Sequence, residues 1–461
     1  MYLSNVVRGT VATSALVTVA LLAVEATQST VRIAIVNTTV ISMTKGATSL
    51  ARQSVIVEGT RISRIGPADT TPIPAGAIRI DGRGKFVIPG LADMHVHLEY
   101  FDTPDILTLF VVNGVTTVRN MDGRPLILDW KRQAAENSLT SPRISTAGPL
   151  LDGRPPVRPD NTVVVTADEA RAAVNAQASA GYDFVKIYSA LSSDAFRAIV
   201  ETAREHRLPV AGHVPRAVGL DTFLTQGAAS IEHLSDYASA IESDSSPFKG
   251  KPHWVKRFLG MPIDALRLQA VAQKQASVGV WSVPTLIQPL RAMLRADDLK
   301  ERMASAEVRY MPAGGRNRWH NMASAAAGRM DDDDWKLAAQ GAVNRLQVVS
   351  TLRSGGVGIL AGTDTPNPFV VPGFSLHDEL ELLVAAGFPP GDALAAATRE
   401  AARFAAAPDW GVVETGKVAD LVVLDANPLD RISHTRRIHA VMLRGRWISA
   451  ADRSKLLDRL K

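Results

Sequence analysis

The 461-residue sequence contains no cysteine, which excludes disulfide bonds, thiolate catalysis and cysteine-ligated metal sites. Aromatic residues are scarce, at 5% of the chain, and the basic residues are dispersed rather than gathered in a stripe interleaved with aromatics. The net charge of +5 therefore does not indicate a nucleic-acid partner. Any bound metal ion has to be held by histidine, carboxylate or a less usual ligand.

Long apolar runs are also rare, and the run near the N-terminus, VATSALVTVALLAV, has only 14 residues. A helix needs about 20 apolar residues to span a bilayer, so stable membrane insertion of the mature protein is not expected. Small residues follow in VEA at 24–26, a pattern typical of a secretory signal peptide. We predict a signal peptide at 1–26 and export to a periplasm or to the medium. A retained membrane anchor is the alternative.

Apolar and polar residues alternate near both ends of the chain. The segment SVIVEGTRISRIG is typical of a β-hairpin around a glycine-containing turn, and ADLVVLDANPL and IHAVMLRGRWI are equally rich in strand-forming residues. Neither flank is long enough for a comfortable independent domain. The sequence therefore predicts one small β-sandwich, formed jointly by residues 31–88 and 407–461.

Between the flanks, apolar strand-like runs alternate with segments of helical spacing. The eight runs are FVIPGLADMHVHL, GVTTVRNM, RISTAGPL, DFVKIYSA, LPVAGHVP, ASIEHLS, GVWSVPTLI and GVGILAGTD. Repeated strand–helix units predict a parallel sheet, and eight units predict a closed (β/α)₈ barrel of the TIM type over residues 89–406. The predicted fold class is therefore α/β.

Two stretches within this region do not follow the alternation. TLIQPLRAMLRADDLKERM through GGRNRWHNM contains no clear strand, and we interpret it either as a lid over the barrel mouth or as a helical excursion. The acidic run MDDDDWK at 330–336 indicates the start of a solvated helix, because acidic side chains interact favourably with a helix N-terminus.

Polar side chains stand at the ends of five predicted strands, where barrel enzymes place their chemistry. His95 and His97 end the first strand, and their spacing directs both imidazoles to the same face. The other strands end in Lys186 (fourth), His213 (fifth), His233 (sixth) and Asp364 (eighth). Any one of them, taken alone, is more often a satisfied or surface residue than a ligand, but six together predict a metal site.

The motifs VIPGLADMHVHL, KIY, GHVP, IEHL and GTD, with the tail ETGKVADLVVLDANPL, resemble the amidohydrolase superfamily. The resemblance is to its binuclear metal-dependent branch of imidazolonepropionase-like and prolidase-like hydrolases, and it covers nearly the whole mature chain. It implies two divalent metal ions, one bound by His95, His97 and Asp364 and the other by His213 and His233. Lys186 would carry a carbamate, derived from carbon dioxide, that bridges both ions. Nitrogen and oxygen ligands suit Zn²⁺, with Mn²⁺ or Co²⁺ as alternatives.

The resemblance also implies hydrolysis of an amide or peptide bond of a small molecule by a metal-bridging hydroxide. Asp364 would be both ligand and catalytic residue, taking the proton of the nucleophile and delivering it to the leaving nitrogen. Tyr188, on the same strand face as Lys186, is a candidate substrate-binding residue, and a tyrosine packed within the barrel is the alternative. Dipeptides or N-acyl amino acids are the favoured substrates. The formation of a homo-oligomer is possible and stays an open question.

The loop after the third strand, TAGPLLDGRPPV, departs from the dipeptidase pattern because it lacks the histidine that helps those enzymes bind substrate. Arg119, Arg154 and Arg216 are alternative contacts for a substrate carboxylate, although each is more often structural. A lactonase, phosphotriesterase or cyclic amidase could use the same binuclear site. Lys186 and the absence of an acid from GHVPRAVG argue against a mononuclear deaminase. A non-catalytic scaffold is disfavoured because no predicted ligand is missing.

Overall fold

The computed structural model describes residues 31–46 and 48–460, so the predicted signal peptide at 1–26 lies outside the described residues. The strands are β1 Arg32–Val40, β2 Leu50–Glu58, β3 Arg61–Pro67, β4 Ile78–Asp81, β5 Phe86–Pro89, β6 Leu91–Val96, β7 Val115–Asn120, β8 Arg143–Thr146, β9 Leu151–Asp152, β10 Thr162–Val163, β11 Val185–Ile187, β12 Val210–Gly212, β13 Ser230–Glu232, β14 Trp281–Val283, β15 Leu421–Leu424, β16 Ile438–Leu443 and β17 Arg446–Ile448. The α-helices are α1 Leu107–Val112, α2 Pro125–Ala135, α3 Ala167–Ala180, α4 Ser193–Glu205, α5 Gly219–Thr225, α6 Tyr237–Ile241, α7 Trp254–Arg257, α8 Ala265–Val278, α9 Ile287–Ala292, α10 Ala296–Met303, α11 Ala313–Ala327, α12 Asp332–Ser354, α13 Phe374–Ala385, α14 Pro390–Ala396, α15 Arg399–Phe404 and α16 Ala450–Asp458. Within these ranges, every helix is too short or too polar to cross a bilayer.

Strands from both ends of the chain form one mixed sheet of eight strands. Its order is β17-β16-β15-β5-β1-β2-β3, with β4 paired to β1. β2 and β3 form the predicted hairpin, and Gly59 takes a positive φ of 59° in its turn. β15 pairs antiparallel with β5, which joins the C-terminal flank to the N-terminal one. The two flanks thus share one sheet, while the predicted sandwich and the boundaries at 31–88, 89–406 and 407–461 stay predictions.

Gly90 separates this mixed sheet from the parallel strands that follow. The sequence suggests a single strand over FVIPGLADMHVHL, but the structure divides it into β5, which pairs with the flanks, and β6, which pairs with β7. A Cβ atom on Gly90 would lie 2.1 Å from Thr116 Oγ1. Only glycine lets the chain pass this close to Thr116. Gly90 therefore fits the point at which the chain leaves the mixed sheet and enters a parallel one.

The central strands are parallel and lie in two sheets, β6-β7-β8 and β10-β9-β11-β12-β13-β14. Segment 356–364, expected as the eighth strand, is not a continuous strand; isolated bridges at Ile359 and at the next residue, Thr365, join it to its neighbours. Three isolated parallel bridges join neighbouring segments: Ala147 with Phe184, Ser282 with Ile359, and Val96 with Thr365. The parallel arrangement confirms the α/β class, and closure into a (β/α)₈ barrel stays a prediction.

The stretch without a predicted strand is helical and contains α9, α10 and α11. In α11 the buried Trp319 donates its indole N–H to Pro366 O at 2.9 Å. This bond fixes α11 beside the segment that carries Asp364. The acidic run begins α12 as predicted, because the Asp331 side chain accepts the backbone N–H of Asp334 and closes a capping box.

Candidate metal centre

Three of the predicted ligands converge at the carboxyl end of β6. Nε2 of His95 lies 3.4 Å and Nε2 of His97 lies 3.2 Å from Asp364 Oδ1. The ligand atoms of the three residues all lie within 4.8 Å of one another, and all three side chains are buried. Two imidazole nitrogens and one carboxylate oxygen at this separation could hold a single divalent metal ion.

Two predicted ligands have strained backbones. Asp364 has a φ of 63° and His233 a φ of 61°, in the left-handed region that residues with side chains adopt rarely. The Asp364 backbone N–H donates to His95 O at 2.8 Å, and that of His233 donates to Val283 O at 2.9 Å. Neighbouring strands therefore hold both backbones in conformations of a kind that concentrates at functional sites.

Carboxylates orient the first two histidines. Nδ1 of His95 donates to Glu232 Oε2 and Nδ1 of His97 donates to Glu99 Oε1, both at 2.7 Å. Each bond leaves Nε2 directed towards Asp364, which is how outer carboxylates position metal-binding histidines. The sequence analysis missed both acids. Strand alternation could have found Glu232, which shares an inward face with Ser230, two residues earlier on β13.

Arg119 completes this network instead of contacting substrate. Its Nη2 donates to Glu232 Oε1 at 2.5 Å, and Ser230 Oγ donates to the same oxygen at 2.6 Å. Burial opposes ionisation of Glu232, but the Arg119 guanidinium and the His95 ring hold the pKa of Glu232 below its usual range. The side chain of Arg119 is buried and committed to this bond, so the carboxylate contact considered for it from sequence is wrong.

The other two histidines lie next to the first group but have different partners. The ring centroid of His233 is 4.4 Å from that of His95 and 5.0 Å from that of His213. Hydroxyl groups orient these rings: Nδ1 of His233 lies 2.7 Å from Thr285 Oγ1, and Nδ1 of His213 lies 3.1 Å from Ser189 Oγ. Five of the predicted ligands are thus brought together in one cluster.

Lys186 supplies the sixth predicted ligand. It lies on β11 with a fully buried side chain. Within the described part of the chain, its Nζ and the Nε2 of His213 have no hydrogen-bond partner. Burial lowers the pKa of Lys186 to about 8, although Glu232 and Asp364 act in the opposite direction. Buried polar atoms are almost always paired, so these two atoms fit a site completed by metal ions and by a carbamate on the lysine.

Electrostatics divide the histidines into two classes. Burial holds the pKa of His213 and of His233 well below the usual value, so both rings are neutral at neutral pH and offer lone pairs. Burial also disfavours protonated His97, but Glu99 and Asp364 outweigh it and raise the pKa of His97 to about 10. A metal ion that binds at His97 therefore competes with a proton that the two carboxylates stabilise.

Tyr188 lies against the second histidine group. Its ring centroid is 3.9 Å from that of His213, with the ring planes tilted by 31°. Burial raises the pKa of its hydroxyl, which keeps the phenol protonated and able to donate a hydrogen bond. This position is compatible with the predicted contact to substrate, which stays a prediction.

Comparisons with known proteins identify similar folds and a matching family. A candidate prolidase from Bifidobacterium longum has a TM-score of 0.68 and 26% identity, covering 94% of this chain and 99% of that chain. Bottromycin amidohydrolase has a TM-score of 0.74 and 24% identity, covering 93% and 90% of the two chains. The 5-methylthioadenosine/S-adenosylhomocysteine deaminase of Symbiobacterium thermophilum is 42% identical over 66 residues, which are 14% of this chain and 15% of that relative.

The deaminase match thus spans only a small part of the curated relative's length. A family model described as "Amidohydrolase family" matches residues 86–448, which include β6 to β16 and all six predicted ligands. That match covers most of the chain and includes the parallel strands whose ends carry the site. The chain therefore belongs to the amidohydrolase family.

Proposed function

We propose that this chain is a binuclear metal-dependent hydrolase that cleaves an amide or peptide bond of a small molecule. The observation that carries the proposal is the fully buried Nζ of Lys186, which has no hydrogen-bond partner among the described residues and which interacts electrostatically with Asp364 of the His95, His97 and Asp364 cluster. A cluster for one ion needs no lysine. A lysine converted to a carbamate supplies two anionic oxygens, and this explains why a cationic side chain is buried beside metal ligands.

In the proposed site, His95, His97 and Asp364 would hold one ion and His213 and His233 the second, and Lys186, once converted to a carbamate, would supply further oxygen ligands. Zinc is the proposed metal because the ligands are imidazole and carboxylate. When bound, the divalent ions supply Lewis acidity and a nucleophile at neutral pH. We also propose that the parallel segments close into a (β/α)₈ barrel, which would direct all six side chains to one end.

Residues of this chain move and hold the proton. Oδ1 of Asp364 faces the two histidines of β6, while its Oδ2 lies 3.8 Å from Nδ1 of His233. Asp364 would take a proton from the nucleophile as a general base and then deliver it to the leaving nitrogen as a general acid. Tyr188 would donate a hydrogen bond from the His213 side of the pocket and orient the substrate.

Dipeptides and N-acyl amino acids are the proposed substrates, in keeping with the similarity to the candidate prolidase. A deaminase is the second candidate, because the local 42% identity is to a deaminase. Both reactions hydrolyse a carbon–nitrogen bond. Lys186 and the lack of an acid in GHVPRAVG favour the amide substrate over the aminopurine.

The test uses zinc-loaded protein and a mixed panel of dipeptides, N-acyl amino acids, lactones and aminopurines. Free amino acid and ammonia are quantified with and without a chelator, and the Asp364→Asn variant serves as the control for contaminating hydrolases. We expect amino acid release that the chelator abolishes and that the variant lacks. Ammonia release from aminopurines alone would establish the deaminase instead, and turnover of lactones alone would exclude both.

A further inference from the structure

Two arginines from distant parts of the chain converge on one tyrosine beside the cluster of His95, His97 and Asp364. Tyr100 follows His97 by three residues, and their ring centroids are 6.1 Å apart. The guanidinium carbon of Arg158 lies 5.2 Å from the Tyr100 ring centroid, and that of Arg318 lies 4.9 Å from it. Arg158 belongs to the loop between β9 and β10, whereas Arg318 belongs to α11.

Packing alone does not account for this pair. A cation over an exposed aromatic ring contributes little stability, and one guanidinium suffices for that contact. Arg158 donates from Nη2 to Asp160 at 3.2 Å, whereas Arg318 forms no ion pair within residues 31–46 and 48–460. Asp160, Glu99 and Asp122 already lie near Arg158, so Arg318 is the member of the pair whose charge has no ion-pair partner among the described residues and is available to a bound anion.

The pair is reachable from solvent and held in place. Tyr100 is 40% exposed and Arg318 is exposed, so a ligand can approach both. The next residue, Trp319, is buried and bonded to Pro366 O, two residues from Asp364. This bond fixes the turn of α11 that carries Arg318 beside the metal cluster. The separation of 6.1 Å between the His97 and Tyr100 rings is comparable to about two extended residues.

We infer that Arg158 and Arg318 bind the free carboxylate of the substrate above Tyr100 and thereby select carboxylate-bearing amides over neutral ones. The inference rests on the proposed function, because it names the specificity of the same pocket. A guanidinium group pairs with a carboxylate through two parallel hydrogen bonds, and two such groups can share one carboxylate. Arg158 lies in the loop after the third predicted strand.

A third guanidinium provides an internal comparison. Arg257 ends α7, is exposed, and contributes to the lowered pKa of His213 after burial, His233 and Lys186. Its guanidinium carbon lies 5.6 Å from the ring centroid of Phe258. If general positive charge attracted the substrate, Arg257 would matter as much as Arg158 and Arg318.

The test measures equilibrium binding of non-hydrolysable ligands to the zinc-loaded protein by calorimetry. The probes are N-methylsulfonyl amino acids with leucine, alanine, phenylalanine and proline side chains, each paired with its primary amide. The variants are Arg158→Gln, Arg318→Gln and Arg257→Gln, with Arg329→Gln, exposed beyond the end of α11, as the matched control. Arg158→Lys and Arg318→Lys test whether charge alone is enough.

We expect the acids to bind at least tenfold more tightly than their amides, and Arg158→Gln and Arg318→Gln each to weaken acid binding about tenfold while leaving amide binding unchanged. Lysine should restore part of the affinity, and Arg257→Gln and Arg329→Gln should have smaller effects. Equal binding of acid and amide by the wild type, no binding of either, equal losses for both ligands, or an effect of Arg257→Gln as large as that of the pair would overturn the inference.

Turnover of the corresponding N-acetyl amino acids separates the two proposals. Selective binding of the acids without hydrolysis supports carboxylate recognition by Arg158 and Arg318 and contradicts the proposed function. Hydrolysis of acids and amides at the same kcat/KM supports the proposed function and contradicts carboxylate recognition by the two arginines.

Discussion

The two halves of the metal site are built differently. His95 and His97 are oriented by the buried carboxylates Glu232 and Glu99, and their free nitrogens already converge on Asp364. In the other half, His213 and His233 are oriented by the neutral hydroxyls of Ser189 and Thr285. A charge-assisted hydrogen bond is roughly twice as strong as a neutral one, so the first pair of rings is held more firmly.

This difference predicts different affinities for the two proposed ions. Carboxylate partners raise the basicity of a ligating imidazole and its affinity for metal, so the ion at His95 and His97 should bind more tightly. We propose that Lys186 links the half with His213 to the first half; among the described residues, a buried Nε2 without a hydrogen-bond partner occurs in both halves, on His95 and on His213. Substitutions in the two halves should therefore have effects that differ in size and in kind.

Replacing the linking lysine should have the largest effect. Lys186→Ala removes the group proposed to join the two halves, so we expect metal content to fall from two ions to one per chain. We expect kcat to fall on the order of 10⁴-fold, since a lost metal site removes several kcal/mol of transition-state stabilisation. Inductively coupled plasma mass spectrometry and steady-state kinetics measure both quantities. Lys455→Ala, at an exposed position of α16, is the control. Two retained ions in Lys186→Ala would contradict the linking role.

Asp364→Asn should come next, with a different signature. The amide keeps an oxygen ligand but cannot accept a proton, so kcat should fall by about 10³-fold while most metal is retained. Metal analysis alongside kinetics separates this result from that of Lys186→Ala. Full turnover by Asp364→Asn protein would remove Asp364 from proton transfer.

Glu232→Gln tests the carboxylate support of the first half. We expect a 10- to 100-fold loss of affinity for the tighter ion, measured by competition with a chromophoric chelator. The change also removes the countercharge of the buried Arg119, which keeps its hydrogen bonds to Ser230 Oγ, and this loss should lower the free energy of unfolding by about 3–5 kcal/mol.

The double variant Arg119→Met/Glu232→Gln separates these two effects. It should recover stability in denaturant titrations without recovering metal affinity, and Glu201→Gln on the exposed face of α4 should change neither. Recovery of metal affinity in the double variant would show that Glu232 acts through stability alone.

The smallest effect is expected in the second half. Thr285→Val removes the hydroxyl partner of His233 at nearly constant volume, and the loss of one neutral hydrogen bond should weaken the second ion about fivefold. The same chelator competition measures this effect. A loss as large as that of Glu232→Gln would erase the proposed contrast between the halves.

Much of this arrangement could be predicted from sequence because it follows from strand periodicity. The spacing of His95 and His97 placed both rings on one face, and alternating strands and helices indicated parallel sheets, which the structure contains. The acidic run beginning α12 was predictable because helix capping depends on local residues. The hairpin of β2 and β3 was predictable for the same local reason.

The remainder depends on contacts between residues distant in sequence. Glu232 and His95 are 137 positions apart, and the bond between them becomes visible only when β6 and β13 are placed together. The division at Gly90 depends on its approach to Thr116. Arg318 comes near Tyr100 only because α11 packs beside Asp364. Local sequence patterns carry no information on such long-range contacts.

The most direct test of the binuclear centre is a crystal structure of the zinc-loaded protein with anomalous data collected at the zinc absorption edge. The account predicts two anomalous peaks about 3.5–4 Å apart, one beside His95, His97 and Asp364 and one beside His213 and His233. Electron density for a carboxylate group should extend from Nζ of Lys186 to both peaks. A single peak with an unmodified Lys186 would contradict the account.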